Sequence, residues 1–136
     1  MSSASRIVAA ILLLALLTVE VGGGSLLAML TRRMPGYLDN PLRQNLFRAM
    51  HAHAGVWVLL ALVGMLYVDQ AQLSDGLRAL VRATLFAAPV LVALGFSLSV
   101  VSPRAQRPNG LIGLVYLGGL SLAAGVVTLG VGLLRV

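Results

Sequence analysis

Four apolar stretches alternate with polar ones along this chain, and that alternation predicts most of its architecture. The stretches run over Ile7–Leu30, roughly Ala49–Val68, roughly Ala83–Val101 and roughly Leu111–Leu134. A helix of about 20 apolar residues, rising 1.5 Å at each, crosses the hydrocarbon of a bilayer, and every stretch is long enough to do so. The connections are short except the first, so sequence neighbours should pack antiparallel. The expectation is an all-α polytopic membrane protein, one domain over residues 1–136, folded as an antiparallel four-transmembrane-helix bundle. Met1–Arg6 followed by Ile7–Val19 has the outline of a secretory leader, but no A-x-A site follows, and the first stretch is expected to be a retained span.

The polar connections sharpen the helix ends. Arg32 and Arg33 stop the first span, and Met34–Pro35–Gly36–Tyr37 reads as a turn. Asn40–Pro41 pairs an N-cap residue with a proline at the first helical position, so helix 2 should begin near Pro41, ahead of the membrane. Arg43 and Arg48 then lie where their side chains can snorkel to the interface. Ser74 or Asp75 should cap the third helix, Pro89 should kink it, and Pro108–Asn109–Gly110 should form the core of the turn before the fourth.

Composition narrows the class. Only 10% of the residues are charged, against about 25% in an ordinary soluble domain. The absence of cysteine excludes disulfides, thiolate metal sites and cysteine nucleophiles. The net charge of +6 comes from ten arginines, which form no stripe or block and sit at the edges of the apolar stretches. They read as topology signals and contacts to membrane lipid headgroups, with no nucleic acid as partner. Arg32, Arg33, Arg43, Arg48, Arg104 and Arg107 lie on the first and third connections, against Arg6, Arg78, Arg82 and Arg135 on the other side. That bias favours both termini outside the cytoplasm.

Candidate chemistry centres on three residues. Glu20 is the only glutamate, and it lies within a stretch of 24 residues that holds no other charge. A charge at the centre of a span costs about 3 kcal/mol or more, so such carboxyls usually face a partner, a cavity or a ligand. Thr18, Gly22, Gly23 and Gly24 flank it. Three consecutive glycines let another backbone or a ligand approach closely, and glycine interruption beside a carboxyl recurs at intramembrane binding sites. Glu20 is therefore either a proton carrier or a hydrogen-bonded strut between helices. The only histidines, His51 and His53, are about 200° apart on a helix and cannot both ligate one ion from a regular helix. They are candidates for ligand or proton binding, for bonds to interfacial carbonyls and headgroups, and for the ligands of a metal or haem if one is bound. Gly55, one turn from His51, would leave space for a flat ligand. At the depths implied by Leu30 and Ala49, Glu20 and His53 are offset by about 9 Å, bridgeable by tilt, a helix break or water. A proton path from the first connection through His53 to Glu20 follows as an expectation. In the fourth stretch Gly113, Leu117, Ser121, Gly125, Thr128 and Gly132 recur at spacings of three and four, a small-residue face suited to tight helix packing and to homo-oligomer formation.

Three resemblances bear on function. The segment from Asn40 to Gly55, NPLRQNLFRAMHAHAG, resembles four-span integral membrane proteins of actinobacteria; this implies a bacterial cytoplasmic membrane and carries no activity. Thr18–Gly22 in a first span resembles the small multidrug resistance transporters, short four-helix proteins with one essential glutamate in helix one. That similarity implies an oligomer in which Glu20 is the proton and cation site; the long Arg-rich first connection and the histidine pair depart from that family. His51-x-His53 before a glycine is similar to segments in haem-binding helices of haem–copper oxidase-like proteins, which implies a redox protein. The chain has no G-x-S-x-G, no P-loop and no second carboxyl within a span, so catalysis without an added cofactor is not expected. The readings left are a proton-linked transporter or channel, an accessory subunit of a larger membrane complex, and a haem- or metal-binding redox protein.

Overall fold

The computed structural model describes residues 1–135. Four helices, α1 (Ser3–Thr31), α2 (Pro41–Tyr67), α3 (Asp75–Ser99) and α4 (Gly113–Leu134), run up and down in turn, and a single 3₁₀ turn, Gly110–Ile112, leads into α4. No strand occurs among the described residues. All four helices are long and apolar enough to cross a membrane. The outward faces are apolar too, with Leu14, Val21, Leu120 and Tyr116 more than two-thirds exposed, as suits a hydrocarbon solvent. This is an all-α bundle of a multi-pass integral membrane protein.

The helices start where their caps dictate. The Asn40 side chain accepts from the Arg43 N–H, with Pro41 at the first helical position. Ser74, rather than Asp75, caps α3 by accepting from the Leu77 N–H. α1, α2 and α3 extend beyond the apolar stretches by several residues at their N-terminal ends, because these caps lie in the polar connections. α3 continues through Pro89, which is buried.

Each end of the bundle is tied by polar contacts between connections. At one end Arg82 of α3 donates to Asp69 at 2.7 Å, to Ser5 at 2.9 Å and to Ser2 at 3.2 Å. The Ser2 backbone N–H donates to the other Asp69 oxygen at 2.6 Å, and Ser5 is fully buried. Burial alone would push the Asp69 carboxyl up. The bonds from the Ser2 N–H, the Arg82 guanidinium and the serine hydroxyls outweigh it and hold the group well below the usual carboxylate range. At the other end Asn40 donates to the carbonyls of Pro103 and Ala105. Arg43 donates to those of Val100 and Gly36 and lies over the Phe47 ring, which stacks on buried Tyr37. Gly36 takes a φ of +73° there, a conformation open to glycine and costly for a side chain.

Between these ends, packing is uneven. The continuous core joins Leu12, Val58, Ala61, Met65, Val68, Val81, Leu85 and Leu129, all toward the Asp69–Arg82 end. Lipid is as apolar as these side chains, so helix association rests on close contact rather than on removal from water. The α3–α4 seam shows how. A Cβ on Gly95 would meet the Val115 N at 2.7 Å, and one on Gly118 would meet the Ala88 O and Val92 N at 3.1 Å. Gly125 is closed by Thr84 and Leu85, Gly132 by Leu73 and Ala71, and Ser121 donates to the Thr84 carbonyl. The small face of α4 is thus consumed within the chain and is not free for a second copy. Its register also differs from the expected one. Gly118 replaces Leu117, which is half exposed; Gly113 has open space around it, and Thr128 is half-buried.

Gly95→Ala should lower thermal stability in detergent by about 1–3 kcal/mol, the usual cost of overpacking, whereas Gly119→Ala, which meets nothing within 4 Å, should be neutral. The Asp69 carboxyl is depressed in the fold, so its stabilisation is present at neutral pH and lost as pH falls from about 3.9 through the native value. Acid unfolding followed by circular dichroism should show this dependence in the native chain and lack it in Asp69→Asn.

Candidate functional site

α1 is the least covered helix. It packs chiefly on α2 and meets α3 only weakly, with the Ser5–Arg82 contact near its start. Away from that contact the two helices separate, and a groove opens between them with α2 as its floor. Its larger part, about 250 Å³, lies mid-span between Leu12, Thr18, Val58, Phe86, Pro89 and Leu94. A smaller part, about 110 Å³, continues past Gly22, Met50 and His51. The two share Thr18, Val19, Ala54 and Ala93. Small side chains at Ala15, Ala54 and Ala93 leave this space, and the Pro89 ring adds no N–H to it. The Thr18 hydroxyl donates back to the Ala15 carbonyl at 2.6 Å.

His51 closes the polar end of the groove. Its ring lies against the bare backbone of α1: a Cβ on Gly23 would sit 2.9 Å from Cε1 and 3.1 Å from Nε2, and one on Gly22 would sit 3.8 Å from Nδ1. The two glycines therefore admit an imidazole at the α1–α2 contact. Gly24 has nothing within 4 Å. Gly55 faces Val19, whose Cγ1 fills its space, so no flat ligand stacks there.

His53 turns elsewhere. Its Nδ1 donates to the Ala49 carbonyl at 2.8 Å. Its ring meets Trp57 edge-on at 5.7 Å and Phe96 of α3 at 5.4 Å. The rings diverge as the 200° separation requires, one toward α1 and one toward α3, and no single ion or haem iron can take both from one chain. Among the described residues no group of three His, Cys, Asp or Glu is placed to hold a metal ion.

Glu20 lies near the middle of α1, exposed on its outer side, and makes no ion pair or hydrogen bond among the described residues. It lines no part of the groove. The path expected through His53 is not the one the geometry offers. His51 is the histidine level with the glycines, and Glu20 stands one turn, about 4.5 Å along the axis, from Gly23. The expected offset takes Leu30 and Ala49 as level, whereas Val19 packs on Gly55 and Gly23 on His51, which sets Ala49 near the level of Ser25. No family model, curated protein or solved structure matches this chain, so the site rests on its own geometry.

The chain lacks cysteine, so single cysteines can map the groove. Thr18→Cys should react with a small membrane-soluble thiol reagent at least about tenfold faster than Met65→Cys, whose position is fully buried in the core and lines no part of the groove. Equal rates would show that the groove does not admit solutes.

Proposed function

We propose that this protein is a proton-linked transporter or channel for a small molecule or ion, working as a homo-oligomer, with Glu20 as the group that takes up and releases the proton. One observation carries the reading: a lone carboxyl in the middle of a span, exposed on the least covered helix and without a partner among the described residues. Such a group costs about 3 kcal/mol or more against lipid. A second copy laid along α1 would remove it from lipid and complete a site that one chain leaves open. Leu17, Val21 and Leu27 are more than half exposed on the same helix and would supply the apolar contact. Four spans enclose little volume, so a path between copies is also the roomier one.

The bias of the arginines supports an orientation with both termini outside the cytoplasm, in what the resemblance of the Asn40–Gly55 segment makes a bacterial cytoplasmic membrane. Arg82 and Arg78 are engaged by Asp69 and Asp75 on the terminal side. Among the described residues Arg32, Arg33, Arg48, Arg104 and Arg107 make no ion pair on the other, and remain available for anionic headgroups. An accessory subunit is the second reading. The same uncovered α1 would then lie on a larger partner, and Glu20 would bond to it. A haem would need its second histidine from another copy, and nothing in the placement of His53 favours that.

In reconstituted vesicles with a pH gradient, the native chain should dissipate the gradient and Glu20→Gln should lose most of that activity. The mass in mild detergent should correspond to two or more copies. A monomer with undiminished flux in Glu20→Gln would overturn the reading, and one large protein co-purifying in fixed ratio would favour the accessory role.

A further inference from the structure

We propose that His51 is the proton relay that connects the α1–α3 groove to Glu20. This rests on Glu20 being the proton site and adds the route by which the proton reaches it.

The ring orientation carries the inference. Viewed down α1, Gly23 is about 100° round from Gly22, and Glu20 is about 60° further in the same sense. Thr18 is on the opposite side of Gly22, about 40° away, and lines the groove with it. Only Nδ1 of the imidazole comes within 4 Å of a Cβ placed on Gly22, whereas Cε1 and Nε2 are the atoms nearest Gly23. The ring therefore lies across the two glycines with Nδ1 toward the groove and Nε2 toward the flank that carries Glu20. Side chains three apart on a helix have Cβ atoms about 5–6 Å apart. The exposed, unanchored Glu20 side chain can span that turn to Nε2. Neither ring nitrogen of His51 has a hydrogen-bond partner among the described residues, although an imidazole always offers a donor, an acceptor or both.

The transfer balances with one outside reactant, a hydronium ion that enters the groove. A hydronium in the groove gives its proton to Nδ1 of the neutral ring, leaving water and forming imidazolium. The imidazolium then releases the Nε2 proton to the Glu20 carboxylate, forming the neutral acid and a neutral ring with its hydrogen on Nδ1. Return of the proton along the same bonds restores both groups. No other ionisable group intervenes. α1 offers only Glu20 within its span, α2 offers Arg48 one turn toward the surface and His53 turned to α3, and near this depth α3 and α4 carry only Tyr116, which is 73% exposed on α4. The requirement for glycine at position 23 follows as well, because any Cβ there would push Cε1 and Nε2 off the helix.

The experiment is infrared spectroscopy of the full chain in lipid vesicles, following hydrogen–deuterium exchange of the Glu20 carboxylic acid after transfer to heavy water. The acid band is assigned by its loss in Glu20→Gln. His51→Gln keeps a polar side chain that cannot carry a proton, and Gly23→Ala keeps His51 and displaces its ring. Exchange should slow at least about tenfold in both and stay unchanged in Gly119→Ala. Exchange at the native rate in His51→Gln, with the Glu20 band still present, would overturn the relay and leave the proton site standing. If His51→Gln does not fold, Gly23→Ala decides on the same criterion. A native protein with no band assignable to Glu20 at any pH would overturn the proton site and the relay together.

Discussion

The clamp made by Arg82, Asp69, Ser2 and Ser5 is the contact on which the shape of this bundle depends. In lipid there is little hydrophobic gain from bringing α1 to its neighbours. Its start is held instead by a charged pair and two serines, at distances of 2.6–3.2 Å. The carboxyl and the guanidinium are each mostly shielded from solvent, so losing either would strand the other. With that end fixed, the rest of α1 follows α2 and meets α3 only weakly, and the groove lies in the gap this leaves.

The opposite half of α1 is positioned by shape. Val19 fills the space over Gly55, and His51 fills the space over Gly22 and Gly23. A side chain at Gly23 would meet the His51 ring at 2.9 Å, whereas one at Gly22 or Gly55 would make ordinary contact. The glycines of α4 do something different: Gly118, Gly125 and Gly132 bring it close to α3 and to the α2–α3 turn, by direct van der Waals contact. One set of glycines makes a rigid pair of α3 and α4. The other makes room for a titratable ring.

Much of the fold was legible in the sequence, because span length, caps and turn residues are local. Asn40, Pro41 and Ser74 act where their chemistry says they should. The site was legible only in its components. Glu20, the glycines and the histidines stood out as polar or bare positions in apolar runs, but which of them meet depends on relative depth and rotation. Taking Leu30 and Ala49 as level gives a depth offset of about 9 Å between Glu20 and His53 but says nothing about which histidine turns to α1. The rotation of α2 decides that, and it turns His51 to α1 and His53 to α3. The groove residues Ala54, Ala93 and Pro89 carried no signal of their own, because a gap is a property of three helices together. The register of the α4 seam was closer to hand. Gly118 continues the spacing through Ser121 and Gly125, and a face built on a leucine at 117 was the less economical choice.

The placement of polar groups on α1 also bears on what can surround it. Thr18 and Glu20 lie on opposite sides of the line along which α1 touches α2. The hydroxyl satisfies itself on the Ala15 carbonyl and makes no demand on a neighbour. The carboxyl has no such local bond. A helix can neutralise a hydroxyl by bonding back to its own backbone, but the longer glutamate side chain in mid-span has to reach another group, water or a neighbouring molecule. Of the polar groups on this helix, Glu20 is thus the one whose surroundings are set from outside the chain. His51, lying across Gly22 and Gly23, is the ionisable group that α2 packs against this part of α1.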